Sequence, residues 1–294
     1  MKKIWICGVN GMVGSHIKRL LDEKKIHYLA TNRQEADITD LETVSDIIRI
    51  QKVTHVINCA AYTKVDQAEN EQKEAYQVNA LGTHNLGIAG RRHGARVMHF
   101  STDYVFDGRA RFPYVEEDIL SPIGAYGISK MVGEVKLLEE HSHACIIRTS
   151  WLFGHSGKNF VKTMLNLMTE KEELMVVSDQ IGRPTYCQDL AEITLQLLEE
   201  EGIFHFANSH ETSWYNFAEE IYRQAQPLGF DLKVKNIHPI ATHEYPTPAK
   251  RPLYTTLNTN KIENILGKSI RPWQEALKDY LIYLKNHQPA LNYS

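Results

Sequence analysis

At 294 residues the chain is long enough for one large or two small domains around a sizeable core. A net charge of −3 argues against a broad nucleic-acid footprint, and no apolar run approaches the ~20 residues of a membrane span. Four scattered cysteines, Cys7, Cys59, Cys145 and Cys187, form no Cys-x-x-Cys pair, so neither zinc nor a redox dithiol is expected, and without a charged-then-apolar leader the chain reads as cytoplasmic with reduced thiols.

Lys3-Ile4-Trp5-Ile6-Cys7 reads as a strand, followed by Gly8, Gly11 and Gly14 in a G-x-x-G-x-x-G spacing. A helix pattern follows through Val13, Ile17, Leu20 and Leu21, then a second strand, His27-Tyr28-Leu29-Ala30. This is the opening of a βαβ unit, in which the glycines permit a tight turn and let backbone and helix start approach a pyrophosphate. A carboxylate at the end of the second strand would bind a free ribose 2′-hydroxyl. The chain has Thr31-Asn32-Arg33 there. A guanidinium fork at Arg33 suits a 2′-phosphate instead, which favours NADPH and leaves NADH open.

Asp37-Ile38-Thr39-Asp40 opens the next helix, with Thr39 or Asp40 as its N-cap. Val53 to Ala61 is a buried strand, and the small Ala60 and Ala61 at its end would admit a nicotinamide-side ribose. Tyr76 to Ala89 reads as one helix, and Asn79 within it either bonds a neighbouring strand or helps order the site. Val97 to Ser101 is a strand that delivers Thr102. The segment from Arg109 to Ser121, with Glu116, Glu117 and Asp118, is irregular and either lies over the substrate or forms a surface loop.

Ala125 to Glu140 reads as a helix whose apolar stripe is Ile128, Val132, Val135 and Leu138. Tyr126 and Lys130, four apart, share one face and lie roughly 160–200° around from Ile128 and Val132, off that stripe. A phenol beside an ammonium has a lowered pKa, and Thr102 at its strand end can meet the same substrate oxygen. Ala144 to Ser150 is the following strand, leading to Trp151.

Beyond residue 151 the alternation loosens. Helices are expected over Lys158 to Glu170, Asp189 to Glu200, Trp214 to Gln226 (with Ser213 as N-cap) and Pro272 to Lys285, and strands over Leu174 to Val177 and Phe204 to Ala207. The fold class read from this is α/β: a Rossmann-like doubly wound parallel sheet over residues 1–150, with a smaller α/β substrate-binding lobe over 151–294 that returns some segments to the first domain.

These residues carry a family resemblance. The glycine pattern, Asn58-Cys59-Ala60-Ala61-Tyr62-Thr63, Ser101-Thr102-Asp103-Tyr104-Val105-Phe106 and Tyr126-x-x-x-Lys130 resemble the extended short-chain dehydrogenase/reductases. Arg148-Thr149-Ser150-Trp151, Asn159 to Met164, Asp179-Gln180-x-Gly182-x-Pro184-Thr185 and Pro248-Ala249-x-Arg251-Pro252 narrow it to the dTDP-4-dehydrorhamnose reductases, over nearly the whole chain. The resemblance implies Thr102, Tyr126 and Lys130 as the catalytic set. It implies Gly11, Met12, Val13, Asp37, Ile38, Ala61, Tyr62 and Thr63 along an NADPH site, and Asp103, Tyr104 and Trp151 against a sugar nucleotide.

Some members of that family bridge subunits with magnesium held by acids. The matching positions here are His16 and Gln188, so no metal is expected, and a homodimer is left open. Sugar-nucleotide 4,6-dehydratases carry Asp-Glu after the threonine. Asp103-Tyr104 offers no second carboxylate for elimination. The reaction implied is reduction of a 4-keto sugar nucleotide. The alternatives are another 4-ketoreductase or epimerase, or a non-catalytic subunit resembling the regulatory subunit of methionine adenosyltransferase.

Overall fold

The computed structural model describes residues 2–287; the end of the expected second lobe, 288–294, lies outside them. Six short strands form a parallel sheet: β1 (Ile4–Cys7), β2 (Tyr28–Thr31), β3 (His55–Asn58), β4 (Arg96–Thr102), β5 (Cys145–Thr149) and, from later in the chain, Gly202–His205. The later strand is β10 in chain order, and the sheet runs β10-β5-β4-β3-β1-β2. β1, β3 and β5 are buried along their whole length, as parallel strands covered on both faces must be.

Helices α1 (Met12–Glu23), α2 (Leu41–Gln51), α3 (Val65–Ala68) and α4 (Gln72–Tyr76) lead to α5 (Thr83–His93) and α6 (Ala125–Glu140). On one face Ile4, Ile6 and Ile147 pack with Ile17 and Leu21 of α1 and with Leu190 of α8 (Cys187–Gln196). On the other, Trp5, Val56 and Ile146 pack with Val44 of α2, Leu86 of α5 and Leu137 of α6. α8 and β10 thus come from beyond residue 151 and complete the first sheet and its cover.

A second core joins α7 (Phe160–Glu170), α9 (Trp214–Ala225) and α11 (Trp273–His287) through Phe153, Leu165, Phe217, Tyr280 and Leu281. Around it lie the short strands β6 (Leu152–Phe153), β7 (Glu173–Val177), β8 (Ile181–Gly182), β9 (Thr185–Tyr186), β11 (Thr212–Ser213) and β12 (Asn236–Ile240), while α10 (Asn260–Leu266) returns to the first core. Ser213 caps α9 by accepting from the Asn216 N–H. Asn159 caps α7, so that helix starts at Phe160 and not at Lys158. Among the described residues no helix is long and apolar enough to cross a membrane.

Two expectations fail in an instructive way. The helix expected over Tyr76 to Ala89 is interrupted by a π-helical turn at Gln77–Gly82. There the buried Asn79 side chain clasps both the N–H and the C=O of Tyr62 and donates to Ser129 Oγ on α6. Half of the expected apolar stripe of α6 faces outward: Ile128 and Val135 are each 46% exposed, while Val132 is half-buried and Leu138 packs against the core. The buried face carries Gly127, Lys130, Gly133, Glu134 and Leu137. Gly133 explains this rotation, because a Cβ there would collide with the Asn79 carbonyl; the bare backbone lets α6 lie directly on the π turn.

Polar bonds hold that face down. Glu134 and Arg148 of β5 are both buried and joined by a two-pronged pair, with Nη2 to Oε2 at 2.7 Å and Nε to Oε1 at 3.1 Å. Arg148 Nη1 also donates to the Glu116 carbonyl, and Glu116 Oε1 accepts from the His205 N–H. The segment expected to be irregular is therefore pinned to β5 and β10. Removing one partner of such a pair strands the other charge. Arg148→Met is expected to lower unfolding free energy by about 3–5 kcal/mol in a denaturant titration, with Glu134→Leu on top restoring most of it.

Candidate active site

The carboxyl-terminal ends of β1, β2 and β3 open onto one cleft of about 320 Å³, which collects Gly8, Gly11, Arg33, Asp37, Ile38, Ala60, Ala61, Tyr62 and Thr63 from the residues expected at a dinucleotide. Gly8 has φ +72°, and a Cβ on it would lie 2.6 Å from the Ala60 nitrogen. Only glycine fits where the β1 turn meets the end of β3. α1 begins at Gly11 with no side-chain cap and no acid in its first turn, whereas Asp40 caps α2 by accepting from Glu42 and Thr43. An uncapped helix start presents amide donors and the positive dipole end to an anion.

Met12, Val13 and Gly14 form the first turn of α1, with Val13 and Gly14 buried. Asn32 is turned away from cofactor work: its Oδ1 accepts from Gln34 and Glu35, and its N–H donates to Glu35. Arg33 is exposed and flanked by two carboxylates, Asp37 at 3.5 Å and Glu74 at 3.6 Å. Sequence reading missed Ala36, Cys59, Lys64, Glu74 and Val78 in the lining. Lys64 directly follows the Ala61-Tyr62-Thr63 run and was within reach of it; Glu74 arrives only through the tertiary placement of α4.

Beyond the dinucleotide cleft, Thr102 and Tyr126 meet. Thr102 ends β4, accepts from the Tyr104 N–H at 3.2 Å and donates to Asp103 Oδ1 at 3.0 Å. Its hydroxyl also lies within hydrogen-bonding reach of the Tyr126 phenol, in the first turn of α6. Tyr104 stands edge-on to Tyr126, with ring centroids 5.8 Å apart. Burial pushes the Tyr126 phenol up, Thr102 opposes this, and the nearby Asp103 and Tyr104 add to it.

Lys130 does not meet the phenol as expected. Its buried Nζ is turned to the sheet, 2.6 Å from the Phe100 carbonyl and 3.0 Å from His99 Nε2. A buried amine needs such partners. Burial brings its pKa down to about 7, against the pull of the Glu134 carboxylate. The lowering of Tyr126 by Lys130 is thus corrected in the cofactor-free protein: the phenol is raised.

Asp103 is buried and raised to about 6 by desolvation, with Thr255 and Thr102 hydrogen-bonding against that. Thr102 donates to its Oδ1, while its buried Oδ2 has no hydrogen bond of ordinary geometry. Tyr104 lies beside the Arg251 guanidinium, and Arg251 pairs with Asp66 of α3 at 2.8 Å. This contact between the Pro248–Pro252 stretch and α3 was not read from the sequence. Trp151 has a left-handed backbone, φ +48°, a strained state for a bulky residue. Its indole is stacked on Trp214 at 3.5 Å, and Gly182 sits so close that a Cβ would lie 2.6 Å from the ring. A sugar would have to meet its edge or displace a neighbour.

The resemblance-derived metal positions hold a different chemistry. His16 Nδ1 donates to the Met12 carbonyl and Nε2 accepts from the His155 N–H, while Gln188 Oε1 accepts from Arg19 at 2.5 Å. Two committed side chains beside a guanidinium do not suit magnesium, which takes hard oxygen ligands.

Comparison with known proteins places this geometry. The family described as the RmlD substrate binding domain matches residues 1–286. A dTDP-4-dehydrorhamnose reductase of Aggregatibacter actinomycetemcomitans is 42% identical over 292 residues, covering 96% of this chain and 99% of that protein. A crystal structure of a dTDP-4-dehydrorhamnose reductase from Clostridium acetobutylicum superposes with a TM-score of 0.90 at 41% identity, covering 96% of this chain and 99% of that one. The Bacillus anthracis dTDP-4-dehydrorhamnose reductase, solved in complex with NADP, also gives 0.90, at 37% identity, with 96% and 100% covered. By sequence and by structure the chain belongs to the RmlD substrate binding domain family.

Proposed function

We propose that the protein reduces the C4 ketone of dTDP-4-dehydro-L-rhamnose with NADPH, giving dTDP-L-rhamnose. The observation that carries the reading is the buried Thr102 beside the half-buried Tyr126, next to a dinucleotide cleft, in a chain whose relatives are dTDP-4-dehydrorhamnose reductases.

The residues present fit NADPH. Gly8 leaves room that a Cβ would fill, and the bare start of α1 offers its amides to the pyrophosphate. Arg33 and Lys64 supply cations along the cleft. When bound, the cofactor supplies the hydride that goes to C4. Tyr126 gives its proton to the oxygen formed there, and its raised pKa keeps that proton available at neutral pH. Thr102 hydrogen-bonds the same oxygen and holds the ketone. Lys130 lies one turn further along α6, and to meet the nicotinamide ribose hydroxyls its Nζ would have to leave Phe100 and His99. Asp103 Oδ2 takes a sugar hydroxyl, and Tyr104 closes one side of the site. The reading places the enzyme in the cytoplasm. A homodimer, supported by the outward apolar residues Ile128 and Val135 of α6, is its proposed assembly.

Mixing enzyme, NADPH and dTDP-4-dehydro-L-rhamnose is expected to consume NADPH with matching formation of dTDP-L-rhamnose; no consumption would overturn the proposal. Tyr126→Phe is expected to lower turnover by roughly 10²–10⁴-fold while cofactor affinity stays, since general acid catalysis has that size. Arg33 now faces two carboxylates, each exposed pair worth about 0.2–1 kcal/mol. Glu74→Gln leaves Asp37 as the one carboxylate opposite Arg33 and should lower KM for NADPH by about 1.4- to fivefold, more than KM for NADH.

A further inference from the structure

One buried polar chain is unused by the mechanism above. Asn58 on β3 and His99 on β4 are register partners in the sheet, and both are buried. Asn58 Oδ1 accepts from the Ala60 N–H at 3.1 Å, which fixes the amide orientation. Its Nδ2 therefore points at His99 Nδ1, 3.0 Å away, with Thr83 Oγ1 at 3.4 Å as its second partner. An amide nitrogen only donates, so Nδ1 must be the acceptor and the ring proton must sit on Nε2. Nε2 lies 3.0 Å from Lys130 Nζ. A neutral amine satisfies this contact: one N–H goes to the Phe100 carbonyl at 2.6 Å, and the lone pair accepts from His99. An ammonium has no lone pair and would oppose N–H to N–H.

We propose that His99 is a positioning residue for the reaction: with its tautomer fixed by Asn58, it selects the neutral form of Lys130 in the free protein, so that binding the dinucleotide draws a proton onto Lys130. The inference rests on the reading of Lys130 as a cofactor-facing residue and adds to it a gate on its charge. Every element packed here bears on that charge. Glu134, on α6 itself, favours the ammonium, but Arg148 of β5 already pairs with it. His99 of β4 is kept neutral by burial. On the π turn and α5 side the facing groups are Asn79 and Thr83, which carry no charge, and Tyr126 and Asp103 lie toward the substrate side. The lowered pKa of Lys130, about 7, agrees with the geometry.

The sign follows directly. If the complex holds Lys130 charged and the free protein holds it neutral above about pH 7, binding takes up a proton between the two pKa values, and affinity falls as pH rises. The test is NADPH binding by titration calorimetry in buffers of different ionisation heat, from about pH 6 to about pH 9. Near pH 8 the wild type should take up close to one proton (about 0.8–1) more per NADPH than Lys130→Met, with Kd rising up to roughly tenfold per pH unit above 7. The Lys130→Met baseline subtracts any proton carried by the 2′-phosphate.

His99→Gln presents a carbonyl oxygen to an ammonium, so it should lose both the extra proton and the slope. Asn58→Asp, which accepts from Nδ1–H and reverses the tautomer, should do the same through a second residue. A merely structural role for His99 would shift Kd equally at every pH and keep the uptake. Equal uptake in wild type and Lys130→Met, or wild-type uptake and slope in His99→Gln, overturns the proposal. Failure of the underlying reading shows separately: Lys130→Met and Tyr126→Phe would turn over substrate at the wild-type rate, whatever the proton count.

Discussion

The bond on which the site depends is the buried pair between Glu134 and Arg148. α6 carries Tyr126 near its start, Lys130 one turn on and Glu134 one turn after that, so a single anchor to β5 sets the height and rotation of the helix over the sheet. Hydrophobic packing alone would not choose this rotation, because it leaves Ile128 and Val135 facing out. Three polar contacts on the inward side make the choice instead: Glu134 to Arg148, Lys130 to Phe100 and His99, and Ser129 to Asn79. Buried charges seldom add net stability, but an unpaired one is so costly that alternative rotations are excluded. The pair acts here as a register device.

The same polar layer explains why the later half of the chain cannot be separated from the first. Arg148 reaches the Glu116 carbonyl, Glu116 takes the His205 N–H, and His205 belongs to β10, which closes the sheet beside β5. Phe106 stacks on Tyr114 under the Arg148 guanidinium. The loop between β4 and α6 is thus fixed by contacts from both ends of the sequence, and the rigid end of β4 delivers Thr102 to the mouth of the site. On the other rim, Asp66 holds Arg251 across from Tyr104.

Much of this was legible in the residues. The glycine turn, the alternation of strands and helices to residue 150, the extent of α6, and Thr102 and Tyr126 as neighbours all follow from short-range pattern and hydroxyl chemistry. What failed had tertiary causes. Half of the α6 stripe was misread because periodicity assumes that apolar residues face inward, and Gly133 with two buried ion-capable side chains overrides that at Ile128 and Val135. The π turn was invisible because Asn79 earns it through Tyr62 and Ser129, 17 and 50 positions away. The local turn that Asn32 makes with Gln34 and Glu35 was not read. Lys64 could have been singled out beside Thr63. The clasp of Asp66 on Arg251, 185 residues apart, could not.

The electrostatics of the core of the site suit reduction in particular. A dehydrogenase acting on an alcohol needs a tyrosinate, and a nearby ammonium supplies it by favouring the phenolate. A ketone reductase needs the opposite starting state, a protonated phenol that gives up its proton only as negative charge develops on the substrate oxygen. Here burial and the proximity of Asp103 hold the proton on Tyr126, and the amine that would pull it off is turned to the sheet, where burial lowers its pKa to about 7. A positive charge one turn from Tyr126 would become useful only when a dinucleotide is in place and an alkoxide is forming. Under the proposed gate, the acid is kept protonated and the charge beside it appears only on binding. That arrangement follows from Asn58 and His99 standing side by side in the sheet beneath α6.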